Sequence, residues 1–156
     1  TLAREGLADT RRAVNALHPA SPADEFLNAT TTRTWDDLDP LLATARRTGL
    51  AVASTRTGTP PADPALAGLV FTIVREALTN VMRHAADATR VTVAIDHAPA
   101  ATTITITDDG RTEGPGVPGH GLANLTRLVT SHGGTLTAGA TADGWCLHAV
   151  LPKEQP

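Results

Sequence analysis

Residues 71–85 (FTIVREALTNVMRHA) constrain the possible fold more than any other stretch of the sequence. At 100° per residue, their aliphatic side chains cover one broad arc, which predicts a helix packed on a core. Four polar residues lie on the border of that arc, within roughly 100° of one another: Glu76, Asn80, Arg83 and His84. The amide and carboxylate oxygens could hold a metal ion, and the guanidinium and imidazole groups could donate to an anion. An ordinary polar border on a core helix explains the same residues.

The composition limits the classes of function. The chain has 156 residues, enough for one domain with a core, and 41% of them are hydrophobic. The net charge is −3 and only 3% of the residues are aromatic, so nothing points to a nucleic-acid surface. The single cysteine, Cys146, excludes a disulfide framework and a cysteine-based metal site, and it is expected to be a small buried side chain. No apolar run reaches the length of a membrane span, and no signal peptide is visible.

Periodicity predicts three helices and five strands in residues 34–153, which we interpret as one domain. The helices are expected at residues 34–47, 64–87 and 122–130, and the strands at residues 50–56, 90–96, 102–108, 135–140 and 145–151. The short connection between the second and third strands predicts an antiparallel hairpin. The fold class that follows is α+β, a two-layer α/β sandwich. Its mixed, mostly antiparallel sheet is covered by helices on one face and is rich in threonine on the other.

Residues 1–33 are predicted to lie outside this domain. Residues 2–17 carry hydrophobic side chains near heptad spacing, which is typical of an amphipathic helix that needs a partner. Pro19 and Pro22 end that pattern, so the helix is assigned to residues 1–18. Residues 19–33 are rich in proline, alanine and threonine and are interpreted as a linker.

Asp108, Asp109 and Gly110 follow one another where the third predicted strand ends. A carboxylate at this place can accept a hydrogen bond from an amino group, and a glycine lets the backbone pass close to a flat ligand. Aspartate and glycine are also common turn residues. Taken alone, the motif therefore also fits a plain turn.

Residues 114–122 (GPGVPGHGL) form a glycine-rich loop that leads directly into a predicted helix. Exposed N–H groups and the positive end of the helix favour an anion, typically a phosphate. The loop lacks the Gly-Lys-Ser/Thr of a Walker A motif, and no G-x-G-x-x-G follows a strand. Taken alone, the loop also fits a flexible linker.

In their order and spacing, these motifs resemble the Bergerat-type ATP-binding domain shared by sensor histidine kinases, DNA gyrase, heat-shock chaperones and mismatch-repair ATPases. The similarity is greatest to sensor histidine kinases with a short ATP lid, the type paired with NarL-like response regulators. Residues 71–87 resemble the N box of these kinases, residues 106–110 the first glycine box and residues 119–122 the second. Residues 3–18 resemble the second helix of their dimerisation and phosphotransfer region.

The resemblance implies roles in phosphoryl transfer from ATP with Mg²⁺ as cofactor. Asn80 would be the Mg²⁺ ligand, and Glu76 would lie beside the attacking group as a base or orienting residue. Asp108 would accept from the adenine amino group, and Gly110 would give the base room. The other residues implied to contact ATP are Arg83, His84, Gly119, His120, Gly121 and Leu122.

Three departures from the family pattern concern affinity and turnover more than fold. Thr112 stands where related sequences often have a second glycine. The lid, residues 111–118, is short and lacks a phenylalanine box. Residues 124–128 contain only Arg127 where the family has an arginine-rich turn.

The phosphorylated histidine of the family lies on the first helix of the dimerisation region, and no residue of this chain matches it. His18, just before Pro19, is a poor acceptor, and the helix dipole explains a histidine there. His97, His132 and His148 show no ligand spacing and are expected to be surface or sheet residues.

The resemblance therefore implies the cytoplasmic catalytic domain of a bacterial two-component sensor. It would donate the γ-phosphoryl group of ATP to a histidine on its own dimerisation domain, homodimeric in the parent protein, and serve a response regulator through that phosphorelay. This chain alone would bind ATP with little or no transfer. Contact with a membrane is expected only through other parts of the parent, and contact with nucleic acid is not expected.

Two alternatives stay open at this point. One is a serine kinase of the same fold that resembles anti-sigma factors, although the predicted helix at residues 2–17 argues against it. The other is a nucleotide-sensing or interaction module that has kept the pocket and lost turnover, which the departures at Thr112 and Arg127 allow.

Overall fold

The computed structural model describes residues 33–112 and 120–153. The predicted N-terminal helix, the linker up to residue 32 and the centre of the lid lie outside these residues. The described helices are α1 (Leu38–Arg47), preceded by a 3-10 turn (Trp35–Asp37), α2 (Pro64–His84) and α3 (His120–Ser131). The strands are β1 (Ala51–Gly58), β2 (Ala85–Ala86), β3 (Arg90–His97), β4 (Ala101–Asp108), β5 (Arg111–Thr112), β6 (Thr135–Thr141) and β7 (Gly144–Pro152).

Five of the strands form one mixed sheet in the order β1-β3-β4-β7-β6. Strand β1 runs parallel to β3, and the other neighbours are antiparallel, including the predicted β3–β4 hairpin. The buried side chains of β3 and β4 alternate along each strand. They face a core formed with the aliphatic sides of α1, α2 and α3, which confirms the predicted α+β sandwich.

Helix α2 supplies much of this core and carries the predicted polar border. Asp63 caps its first turn, because Asp63 Oδ1 accepts from the backbone N–H groups of Ala65 at 3.0 Å and Leu66 at 3.3 Å. Its fully covered side chains include Val70, Ile73, Val74, Ala77 and Leu78. The helix is long and apolar enough to pass as a membrane span by composition, but 56% of that apolar window is buried inside the domain.

The predicted end of this helix near residue 87 is wrong, because α2 ends at His84. Ala85 and Ala86 form strand β2, which pairs with β5 in a two-stranded antiparallel sheet. Asp87 then adopts a positive φ of 66°, a conformation that a helix cannot continue. Helical propensity favours alanine, so only pairing with a distant segment reveals this end.

His97 is in the sheet, as predicted, but it is buried rather than on the surface, with 6% of its area exposed. Its Nδ1 lies 3.0 Å from Thr102 Oγ1, and the Trp35 ring meets it edge-on with 4.8 Å between centroids. Trp35 Nε1 in turn donates to the Pro61 carbonyl at 2.9 Å. Burial lowers the pKa of His97, and the charge of Lys153 lowers it further against the opposing effect of Asp96.

We expect the stability of the domain to fall when the pH drops below about 6.5, the ordinary histidine pKa. In that range the unfolded chain binds a proton at His97 more readily than the folded chain, so the stability present above pH 6.5 is lost as the pH falls through the folded pKa. Urea unfolding between pH 8 and pH 5 measures the effect. His97→Gln should flatten the pH dependence, while the exposed His148→Gln should leave it as in the wild type. An equally steep dependence in His97→Gln would show that other groups cause it.

Candidate functional site

The glutamate of the polar border meets the first turn of the helix that follows the glycine-rich loop. A Cβ added to Gly121 would lie 1.8 Å from Glu76 Oε1 and 2.6 Å from Glu76 Cδ. Only a glycine therefore fits beside the carboxylate in its present position. Two motifs whose contacting residues are about 45 positions apart in the sequence are brought together, and the carboxylate of Glu76 lies at the N-terminal end of α3.

Asp108 ends strand β4 on its buried face, with only 8% of its area exposed. Its Oδ1 accepts a hydrogen bond from the backbone N–H of Gly110 at 2.8 Å, and Gly110 is itself buried. Burial raises the pKa of the Asp108 carboxyl, the Gly110 hydrogen bond opposes that rise, and the charge of Asp109 adds to it. A buried carboxylate held at a strand end can act as a binding group for a hydrogen-bond donor.

Strand β7 closes against the end of β4 at this place. Trp145 pairs with Asp108 in the sheet register, and Gly144 lies against the main chain of Asp108. A Cβ on Gly144 would lie 1.9 Å from the Asp108 carbonyl oxygen and 3.1 Å from Asp109 Cα. Gly144 is the first residue of β7, and its contact with the Asp108 turn becomes visible only in the sheet.

Asp109 has a different environment from its neighbour. Its carboxylate is exposed and accepts from the backbone N–H groups of Thr89 at 2.8 Å and Arg90 at 2.9 Å, and from the Thr89 hydroxyl. These hydrogen bonds, led by the Thr89 hydroxyl, hold the pKa of Asp109 at about 2. The sequence alone assigned no role to Asp109. We call these contacts the Asp109 clamp.

The remaining predicted residues are distributed as follows. Asn80 and Leu122 are half-buried and Arg83 is exposed. Gly119 and the side chains of His84 and His120 lie outside the described part of the structure. Arg127 is exposed on α3, as is Leu128 with 48% of its area.

Two further observations concern other kinds of site. Among the residues that the structure describes, no group of three or more His, Cys, Asp or Glu side chains is placed to hold a metal ion. A surface depression of about 410 Å³ lies at the start of β1, between Arg46 and Arg90. None of the predicted site residues lines it, because it lies between the end of α1 and the edge strand β1.

The sequence and the fold are both similar to those of known proteins. The family model described as histidine kinase-, DNA gyrase B-, and HSP90-like ATPase matches residues 66–155, more than half of the chain. This chain belongs to that family. The match spans Glu76, Asn80, Asp108 and both glycine motifs, so the predicted site residues lie within the family domain.

One curated relative is a sensor histidine kinase, which is consistent with the family match. The chain is 36% identical over 77 residues to the sensor histidine kinase YxjM of Bacillus subtilis (strain 168), a match that covers 49% of this chain and 19% of that protein. The chain therefore spans about a fifth of the length of this curated relative.

Solved structures give the same fold. The histidine kinase domain of the blue-light activated histidine kinase EL346 from Erythrobacter litoralis superposes with a TM-score of 0.64 at 18% identity, over 94% of this chain and 80% of that one. The ATP binding domain of PrrB from Mycobacterium tuberculosis superposes with a TM-score of 0.57 at 26% identity, over 77% and 93% of the two chains. The prediction of a histidine-kinase-type ATP-binding catalytic domain is confirmed.

Proposed function

We propose that this domain binds ATP with Mg²⁺ and donates the γ-phosphoryl group to a histidine on a dimerisation domain of the same sensor protein. The observation that carries the proposal is the contact between Glu76 of the N box and Gly121 of the second glycine motif. It supports a single site made from both motifs, within a domain whose family is established. Transfer onward to a response regulator is part of the same proposal.

The proposed roles divide the site into two ends. At the base end, Asp108 accepts from the adenine amino group, and Gly110 gives the base room beside a backbone that is already buried. At the phosphate end, the N–H groups at the start of α3 donate to phosphate oxygens, with Gly119, His120, Gly121 and Leu122 in that segment. Arg83 and His84 approach the phosphates from the end of α2 and neutralise part of their charge.

Glu76 is placed to orient the attacking group at the phosphate end. Its carboxylate lies beside the first turn of α3, where the phosphates would be held, and it can accept a proton or a hydrogen bond from the acceptor. Positioning and charge neutralisation account for most of the rate of phosphoryl transfer, so the exact place of this carboxylate matters.

Asn80 is the proposed Mg²⁺ ligand. It lies one helical turn after Glu76 and is half-buried, so its amide oxygen is partly shielded from water. Mg²⁺ commonly keeps several waters and takes one or two protein oxygens together with substrate phosphates. This fits the described part of the chain, in which no group of three or more His, Cys, Asp or Glu side chains is placed to hold a metal ion. When bound, the ion would neutralise phosphate charge and stabilise the charge that develops during transfer.

The decisive experiment is calorimetric titration of the full 156-residue chain with ATP, with and without Mg²⁺. We expect Mg²⁺ to strengthen ATP binding about tenfold, or about 1.4 kcal/mol. Asn80→Ala should lose that Mg²⁺ effect and keep the Mg²⁺-free affinity, because it removes one oxygen ligand and no contact with the base. Asn124→Ala, an exposed asparagine of α3, is the matched control and should behave as the wild type.

A negative result for ATP binding and a negative result for Asn80→Ala contradict different parts of the proposal. No binding at millimolar ATP would rule out the proposed function altogether. A full Mg²⁺ effect in Asn80→Ala would leave ATP binding intact and remove Asn80 from the metal site.

Transfer distinguishes the proposed kinase from its two rivals. When the complete sensor protein is incubated with radiolabelled ATP, the label should appear on a histidine, as acid-labile phosphate. Acid-stable label would favour the serine kinase, and binding without label the nucleotide-sensing module. The domain is proposed to act in the cytoplasm, where ATP and a response regulator are both present.

A further inference from the structure

We propose that Asp109 is a positioning residue, which fixes Asp108 in the orientation that reads the adenine base. This inference rests on the proposed function, because it concerns the adenine end of the same site. Asp109 itself is exposed, its carboxylate binds Thr89 and Arg90, and it is not proposed to touch the nucleotide.

The Asp109 clamp joins two segments that are far apart in the sequence. Its carboxylate binds the backbone of Thr89 and Arg90, where the chain enters β3, while its own N–H donates to the Arg90 carbonyl at 3.3 Å. The Thr89 hydroxyl provides a third donor. Charge-assisted hydrogen bonds of this kind are stronger than neutral ones and fix direction as well as distance.

Strand pairs on both sides of the Asp109 clamp form one continuous junction between residues 85–91 and residues 108–112. Val91 pairs with Asp108 on one side, and Ala86 and Ala85 pair with Arg111 and Thr112 on the other. The segment that leaves the N-box helix is thereby attached to the segment that carries the first glycine motif. The clamp lies at the centre of this junction, between the main sheet and the small β2–β5 sheet.

This junction matters because the orientation of Asp108 depends on the turn that follows it. Asp108 Oδ1 accepts from the Gly110 N–H, and in this proposal the adenine amino group donates to the other oxygen, Oδ2. The direction of Oδ2 is set by the main chain of residues 108–110, whose middle residue is Asp109. Gly144 packs against this turn from β7, and the clamp holds it from β3.

The test uses the full chain with ATP and GTP, each with Mg²⁺. Guanine has a carbonyl where adenine has the amino group. The ratio of the ATP and GTP dissociation constants therefore measures how well the Asp108 carboxylate is oriented towards the adenine amino group. Asp109→Ala should weaken ATP binding about tenfold and GTP binding much less, so that the preference for ATP falls.

A second pair of variants separates position from charge. Thr89→Val removes only the hydroxyl donor and leaves the Asp109 charge next to Asp108. It should weaken ATP binding about threefold and lower the preference for ATP. Thr89→Ser keeps the hydroxyl and should restore both values. Thr137→Val, at an exposed threonine of β6, is the matched control for the loss of a hydroxyl.

Each outcome decides a different claim. If the wild type binds neither nucleotide, the proposed function is wrong, and the role of Asp109 that rests on it is wrong as well. If the wild type prefers ATP and Asp109→Ala binds both nucleotides with an unchanged ratio, Asp109 has only a structural role and the inference is wrong. If Asp109→Ala fails to fold, Thr89→Val decides: an unchanged ATP preference overturns the inference, and a lowered one supports it.

Discussion

Asp108→Asn is expected to weaken ATP binding about tenfold or more and, at the same time, to make the domain more stable at neutral pH. Both effects have one cause, the buried position of a charged carboxylate. The asparagine keeps Oδ1 for the Gly110 N–H, so the turn is preserved. In place of Oδ2 it has an amide nitrogen, which presents a donor to the donor of the adenine amino group.

The sign of the stability change follows from the direction of the pKa shift. Burial raises the pKa of Asp108 in the folded state, so ionisation of this carboxyl disfavours folding. The asparagine should therefore bring no gain below about pH 3.8, the unfolded value, where the aspartate is protonated in both states. The gain should grow as the pH rises and be complete above the folded pKa.

Two measurements check this expectation. Calorimetry with ATP and Mg²⁺ measures the loss of affinity, and urea unfolding at pH 7 and pH 3.5 measures the gain in stability and its pH dependence. Asp143→Asn, at an exposed turn between β6 and β7, should change neither quantity. Loss of both affinity and stability in Asp108→Asn would mean that the carboxylate is structural and that the adenine assignment is wrong.

Gly121→Ala is expected to slow phosphoryl transfer by one to two orders of magnitude, about 10- to 100-fold, with little effect on stability. The new Cβ would overlap Glu76 Oε1, which is the far end of a flexible side chain, so Glu76 can rotate away without disturbing the core. Alanine also favours a helix over glycine by about 1 kcal/mol, which offsets the strain of the rotation. The variant thus displaces the glutamate without removing it.

Transfer is measured in the complete sensor protein, and the ATP dissociation constant and unfolding in the 156-residue chain. Gly139→Ala is the matched control, because a Cβ there would have no atom within 4 Å and should leave transfer unchanged. A normal transfer rate in Gly121→Ala, with a displaced Glu76, would show that the present position of this carboxylate is not needed. Of all the roles assigned by resemblance, that of Glu76 is the one this variant tests.

Local patterns were sufficient to predict most of the secondary structure. Helix α2 was predicted because its aliphatic residues repeat with helical period, and Pro64 lies at its first position, as predicted. Strands β3 and β4 were predicted because their side chains alternate, with a short connection between them. Both periodicities are properties of the chain itself, so they can be read without knowledge of any tertiary contact.

The same alternation contained two signals that the sequence reading did not use. Asp108 follows Thr102, Ile104 and Ile106 at intervals of two, so it belongs to the buried face of β4. His97 continues the buried face of β3 in the same way. A period of two therefore predicts that both titratable groups point inward and that Asp109 points outward.

Other features were decided only by the tertiary structure. The sequence does not show that β1 pairs in parallel with β3, or that β7 separates β4 from β6. It also cannot show that Gly121 lies against Glu76, that Asp109 holds Thr89 and Arg90, or that α2 ends where β2 pairs with β5. Each of these depends on contacts between segments far apart in the chain.

The sequence by itself thus determined the N-box helix, its polar border and the family to which the chain belongs, because helical period and motif spacing are local properties. The tertiary structure determined which part of that border meets the two glycine motifs. It places Glu76 against the second glycine motif and attaches the end of the helix to the first. Pairing between distant strands and the exclusion of any side chain at Gly121 are the physical reasons, and neither is encoded in a single stretch of residues.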